Sequence, residues 1–217
     1  MRRVALLITV VAMLAFTCCL SVASQFEHAR RETVLQWDDG VMDHPEDHHL
    51  GWWQDEMAVM FDLPEWATCV TGVQAYLRCE FDFPAGCDFG VGVLAPDVPG
   101  GDMPGANVGG FTGHVVHDTV WSWVAIPLSS PVGIGDSHFH GERRAFVSLE
   151  WGTDSQMSLG FDVTPPIDDA TRYRNYSWGT PWHVIQDRDA MLRAVVSDEY
   201  VVPAEPGTWT RVKALFR

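Results

Sequence analysis

Basic side chains are scarce in this chain. Fourteen Lys and Arg stand against 29 Asp and Glu, a formal net charge of −15. A surface of that sign repels nucleic-acid phosphates and anionic lipid, so neither is an expected partner. It favours solubility and divalent cations, although acidic composition is also common without a specific purpose. Nucleophile and zinc-protease signatures are missing: there is no G-x-S-x-G and no H-E-x-x-H. No C-x-x-C occurs, so the cysteines lack the spacing of a zinc or redox site. Helical periodicity is nearly absent, and there is no internal repeat.

The two ends differ from the middle. Arg2 and Arg3, then an uncharged apolar run from Val4 to Leu20, then Ser21-Val22-Ala23-Ser24, read as a signal peptide over residues 1–24. An uncleaved anchor is the other reading, with the run near the lower limit for a membrane span. Export places the remaining chain outside the cell, in the periplasm or at the cell surface, with no membrane contact after cleavage. Residues 25–200 then form one domain. Residues 201–217 are a tail. Within it Trp209, Val212, Leu215 and Phe216 share one helical face, and Thr208 can cap that helix. Three cysteines follow the signal segment: Cys69, Cys79 and Cys87. An oxidising compartment favours one pair. Cys79 and Cys87 flank a natural hairpin loop and are the preferred pair, with Cys69–Cys79 the rival.

Between the ends, period-two alternation dominates. In Val70–Arg78, Val73, Ala75 and Leu77 face one way and Gln74, Tyr76 and Arg78 the other. Similar runs lie at Thr33–Trp37, Trp52–Phe61, Asp88–Leu94, Phe111–His117, Trp121–Leu128, Arg172–Trp178 and Ala190–Val196, with a short irregular strand over Pro131–His140. Residues 41–50 read as a loop because they hold Pro45, many charges and no period. Residues 95–110 read as irregular because of Pro96, Pro99, Pro104 and many glycines. Phe146, Ser148 and Glu150 alternate with Val147, Leu149 and Trp151, turn formers follow, and Met157, Leu159 and Phe161 resume the period. That stretch, Arg143–Asp162, predicts a β-hairpin central to a sheet. About ten strands with frequent turns predict an all-β, two-sheet antiparallel β-sandwich with jelly-roll character.

The order of features resembles a group of exported bacterial β-sandwich modules. The resemblance is carried by WDDG at 37–40, QDEMAVMF at 54–61, VTGVQAYL at 70–77 and PDVPGGDMPG at 96–105. It continues through WSWVAIPLSSPV at 121–132, the 147–162 stretch and TPWHVIQDRDAMLRAVV at 180–196. These motifs are structural. The resemblance implies a binding or accessory module beside secreted enzymes or cell-surface proteins, and a docking role for the tail.

The residues offer several candidate chemistries. Ten Trp are many for this length. Trp52, Trp53, Trp178 and Trp182 fall at strand ends or in loops, where an indole can stack on a sugar ring. The leading expectation is therefore a secreted, non-catalytic module that binds a glycan or another envelope component. Asp43, His44, Asp47, His48 and His49, with Glu46, offer imidazole and carboxylate to a transition metal. His138, His140 and Glu142 form a second His/acid group, so a metal-dependent enzyme using 43–49 or 138–142 is the alternative. A structural envelope protein docking through its tail is another. Asp38, Asp39, Asp97 and Asp102 are loop carboxylates suited to a structural calcium. Glu142, Glu150 and Asp162 lie near the central stretch, where paired carboxylates would serve glycoside cleavage only if they meet in space.

Overall fold

In a computed structural model of the chain, the described residues are 31–47, 55–79, 87–116, 119–135, 137–151, 157–175 and 181–199. They form β1 (Glu32–Leu35), β2 (His44–Asp47), β3 (Asp55–Asp62), β4 (Cys69–Cys79), β5 (Cys87–Pro96), β6 (Pro104–Val116) and β7 (Ser122–Gly133). A turn of 3-10 helix at Ser137–Phe139 follows. Then come β8 (Arg144–Trp151), β9 (Met157–Asp162), β10 (Thr171–Asn175), β11 (His183–Val184), β12 (Asp189–Ala190) and β13 (Leu192–Ser197). The signal segment and the tail lie outside the described residues.

The strands make two antiparallel sheets that pack as a sandwich. The first runs β1-β13-β4-β9-β12, with β2 also paired to β9 and β7 to β4. The second runs β11-β10-β3-β8-β5-β6. Alternation decides which side chains enter the layer between them. Val73, Ala75 and Leu77 of β4 enter from the first sheet. Met57, Val59 and Phe61 of β3, Val91 and Val93 of β5, and Val147, Leu149 and Trp151 of β8 enter from the second. The disulfide joins Cys79 to Cys87, the end of β4 in one sheet to the start of β5 in the other. Cys69 keeps its thiol, which is buried and points to the carbonyls of Ser197 and Glu199.

Four expectations are corrected. Arg143–Asp162 is not a hairpin: β8 pairs with β3 and β5, whereas β9 pairs with β4, β2 and β12 in the other sheet. Both strands keep their period because both turn apolar residues into the shared core, so a sheet crossing and a hairpin look alike in sequence. β8 does occupy a central position in its sheet. The loop expected over 41–50 contains β2, paired with β9 from His44 to Asp47. Pro45 lacks an N–H, and β2 has only β9 as a described neighbour, so no second ladder needs one. The irregular stretch expected over 95–110 shrinks to 97–103. The β5–β6 ladder absorbs the glycines and prolines through register shifts, with Gly109 at φ +121°. The strand expected over 131–140 is instead the end of β7 and the 3-10 turn.

Candidate functional site

The face of the second sheet that points away from the other sheet is unusually polar at one end. Register places Arg174 of β10 beside Glu56 of β3, Glu56 beside Glu150 of β8, and Glu150 beside Gly90 of β5. Gly113 of β6 completes the row. The next row holds Arg172, Ala58, Ser148 and Gly92. A small apolar cluster of Ala58, Leu94 and Phe146, joined by Met60 and Trp182, closes the face beyond them. Phe146 therefore belongs to this outer cluster, while Leu149, Trp151 and Phe161 lie in the main core. Gly92 has a packing reason: a Cβ there would lie 3.2 Å from the Asn107 side-chain nitrogen.

Glu56 is buried, at 3% exposure. Arg174 donates to its Oε2 from Nε at 2.8 Å and from Nη2 at 2.5 Å. Burial pushes the Glu56 carboxyl above its ordinary value, and Arg174 and a hydrogen bond from Ser148 oppose that shift. The Arg174 guanidinium also lies over the Trp182 ring, 4.4 Å from its centroid. Glu150 is half-buried and makes no hydrogen bond or ion pair with a described residue. Its carboxyl is raised by burial and then by the negative charge of Glu56, with Arg174 acting the other way. One ring, the Arg174 guanidinium and two carboxylates thus meet at one end of the face, and the second carboxylate makes no hydrogen bond or ion pair among the described residues.

The outward face of the first sheet carries more aromatic surface but is closed on itself. Asp38, with a fully buried side chain, accepts from Arg193 Nε at 3.1 Å and Nη2 at 2.5 Å. Arg193 lies 3.6 Å from the Trp123 ring centroid. Trp123 meets Tyr76 at 5.3 Å, Tyr76 stacks on Trp121 at 5.6 Å, and Arg78 lies 5.0 Å from the Trp121 ring. Trp121 and Trp123 thus each have both Tyr76 and a guanidinium against them. A sugar needs a ring face, and both indoles of this ladder already have two partners.

Of the aromatic candidates, Trp182 falls in the polar site, and Trp52, Trp53 and Trp178 lie outside the described residues. Asp43 Oδ2 accepts from the Val163 N–H and the Thr164 hydroxyl, each at 3.1 Å. His44 and Asp47 lie on β2, and His48 and His49 are outside the described residues. His138 and His140 are exposed beside buried Phe139, and Glu142 accepts from the Gly100 N–H at 3.1 Å. Among the described residues no three His, Cys, Asp or Glu side chains come together to hold a metal ion. The loop carboxylates put forward for calcium have local roles. Asp38 binds Arg193, Asp39 Oδ1 accepts from Val41, and Asp97 Oδ1 accepts from Val98. The Asp102 carbonyl accepts from Arg172 Nε at 2.8 Å.

Asp189 is a titratable group that sequence reasoning missed. It is 2% exposed. Its Oδ2 accepts from the Asp168 N–H at 3.3 Å, while Oδ1 has no partner among the described residues. Burial, then the charges of Asp168, Asp162 and Asp169, push its carboxyl up to about 6, against the pull of the Asp168 N–H. Register sets Asp189 opposite Asp162, which is satisfied by the N–H groups of Asp39 and Thr164.

No protein-family model and no curated protein matches this chain. Among solved structures it is similar to a variant of the clostridial cysteine protease Cwp84 after propeptide cleavage. That match has 9% identity and a TM-score of 0.50 over 76% of this chain and 40% of the protease. A structure of the cysteine protease and lectin-like domains of Cwp84, a surface layer associated protein of Clostridium difficile, matches at 9% identity. Its TM-score is 0.47, over 76% of this chain and 36% of that one. The infectious bursal disease virus Gt strain structure matches at 9% identity and a TM-score of 0.28, over 87% and 49%. The chain spans less than half the length of each. What the first likeness shares is the fold.

Proposed function

We propose that this chain is an exported binding module that holds a glycan against the outward face of its second sheet. The observation that carries the reading is the row of Trp182, Arg174, Glu56 and Glu150. An indole offers an apolar face to a pyranose ring, and carboxylates accept from sugar hydroxyls in fixed directions. Arg174 is held by buried Glu56, so the ring it lies on is set before a ligand arrives, which lowers the cost of ordering the site. The Cys79–Cys87 disulfide supports an oxidising compartment, in line with a secreted, periplasmic or surface location.

The test is affinity electrophoresis against a panel of soluble polysaccharides, followed by titration of the best binder. Trp182→Ala should weaken binding about tenfold or more, as loss of a well-packed aromatic contact does, measured at a temperature where both proteins stay folded, because Trp182 also packs on the Ala58–Leu94–Phe146 cluster. If no polysaccharide retards the protein, or if the variant binds as well as the parent, the reading fails.

A further inference from the structure

We propose that the bound glycan carries a free amino group, and that Glu150 takes its ammonium. The inference rests on the glycan reading above and names the ligand class of that same site. Its starting point is charge. The row holds two carboxylates and one guanidinium, and both short Arg174 contacts go to Glu56 Oε2. The Ser148 hydroxyl is also engaged with Glu56. Glu150 has neither hydrogen bond nor ion pair among the described residues, although it is half-buried. On its other side the row continues through Gly90 and Gly113, which bring no side chain. The described residues thus supply no second cation to the row, and a partly desolvated carboxylate favours a ligand that brings one.

An anionic glycan meets the opposite situation. Arg174 is committed to Glu56, Arg172 of the next row donates to the Asp102 and Asp169 carbonyls, and the whole chain carries −15. A neutral glycan can donate hydroxyls to Glu150 but leaves its charge uncompensated. An ammonium supplies both charge and donors, and the long-range field steers it inward. Size follows from the sheet. Arg174, under Trp182, lies on β10 and Glu150 on β8, two strands away. That is roughly 10 Å, so the ligand must reach from a ring stacked on Trp182 to an amine on a neighbouring residue. A disaccharide is the smallest unit that fits.

Titration calorimetry with the full domain tests this. The probes are deacetylated chitooligosaccharides, their fully N-acetylated counterparts and a lysine-rich peptide, at a pH where the sugar amine is protonated. The deacetylated ligand should bind about tenfold or more tighter than the acetylated one, the scale of a hydrogen bond to a charged group. Glu150→Gln should erase that difference, and added salt should reduce it. Asp187→Asn removes an exposed charge elsewhere and should leave the difference intact, which separates the site from net charge. Equal or tighter binding of the acetylated ligand overturns the amine inference and leaves the glycan reading standing. Binding of neither sugar, with the peptide bound in a Glu150-dependent way, overturns the amino-glycan inference and assigns the carboxylate to a protein partner, while the polysaccharide panel still decides the glycan reading. Binding of no probe overturns the amine inference outright.

Discussion

Asp189→Asn should stabilise this protein at neutral pH and do nothing at low pH. Asp189 is 2% exposed, one of its oxygens has no partner among the described residues, and its neighbours are Asp162, Asp168 and Asp169. The folded carboxyl is pushed up to about 6 from an ordinary 3.8. Between those values the folded state holds a proton that the unfolded state has released. Stability therefore falls as pH rises through that window, the reverse of the usual aspartate. The gap, at 1.36 kcal/mol per pH unit, puts the full penalty above pH 6 at about 3 kcal/mol, an order-of-magnitude figure. Asparagine keeps an acceptor for the Asp168 N–H and carries no charge against the other acids. The parent and variant should unfold at the same urea concentration near pH 3.5. They should separate progressively to pH 6.5, with the variant ahead by roughly 1–3 kcal/mol at pH 7.5, less than the full penalty because the new amide hydrogens also need partners. Glu56 and Glu150 are shifted in the same direction, so the difference between the two proteins, not the parent curve, is the measurement. A gap that is constant from pH 3.5 to 7.5, or that widens toward acid, would refute the reasoning.

Three further outcomes follow from packing and charge. Replacing Cys79 and Cys87 together with Ala should cost about 2–3 kcal/mol, the chain-entropy value for so short a loop, and reductant should lower the parent to the same urea midpoint. Arg193→Ala strands the fully buried Asp38 carboxylate and should cost about 3–5 kcal/mol by denaturant unfolding. Gly160→Ala would set a Cβ 2.9 Å from both Met191 Sδ and Tyr76 Cδ1, and should cost about 1–3 kcal/mol in the same assay.

The sandwich was legible because alternation is a local property. β4, β8 and β9 read as strands from their own residues, and the Cys79–Cys87 pair was favoured from its spacing. Partnership is not local. Nothing within residues 143–162 distinguishes a return along the same sheet from a step to the opposite one, because either path buries the same side chains. The same limit explains β2 and β6. Charge and Pro argued against strand over 44–47, and Gly and Pro argued against it over 104–110. Pairing with β9 and β5 supplied the order those segments lack on their own.

The candidate site was half legible for a related reason. Trp182 was marked by its indole and Glu150 by its place in an alternating run. Glu56 and Arg174 were invisible, since residues 118 positions apart meet only through the β10-β3-β8 ladder. That ladder is what separates the two outward faces. On the first sheet Trp121 and Trp123 each have both a cation and Tyr76 against them, whereas Trp182 has the one cation among the described residues, and the buried Asp38 pins the arginine at one end. A ligand there would have to displace contacts the fold already makes. On the second sheet both short Arg174 contacts go to Glu56, and Glu150 remains half-exposed, with Arg174 acting on it only at longer range and no hydrogen bond or ion pair among the described residues. That open carboxylate, more than the abundance of tryptophan, is why the proposed ligand is placed on this face.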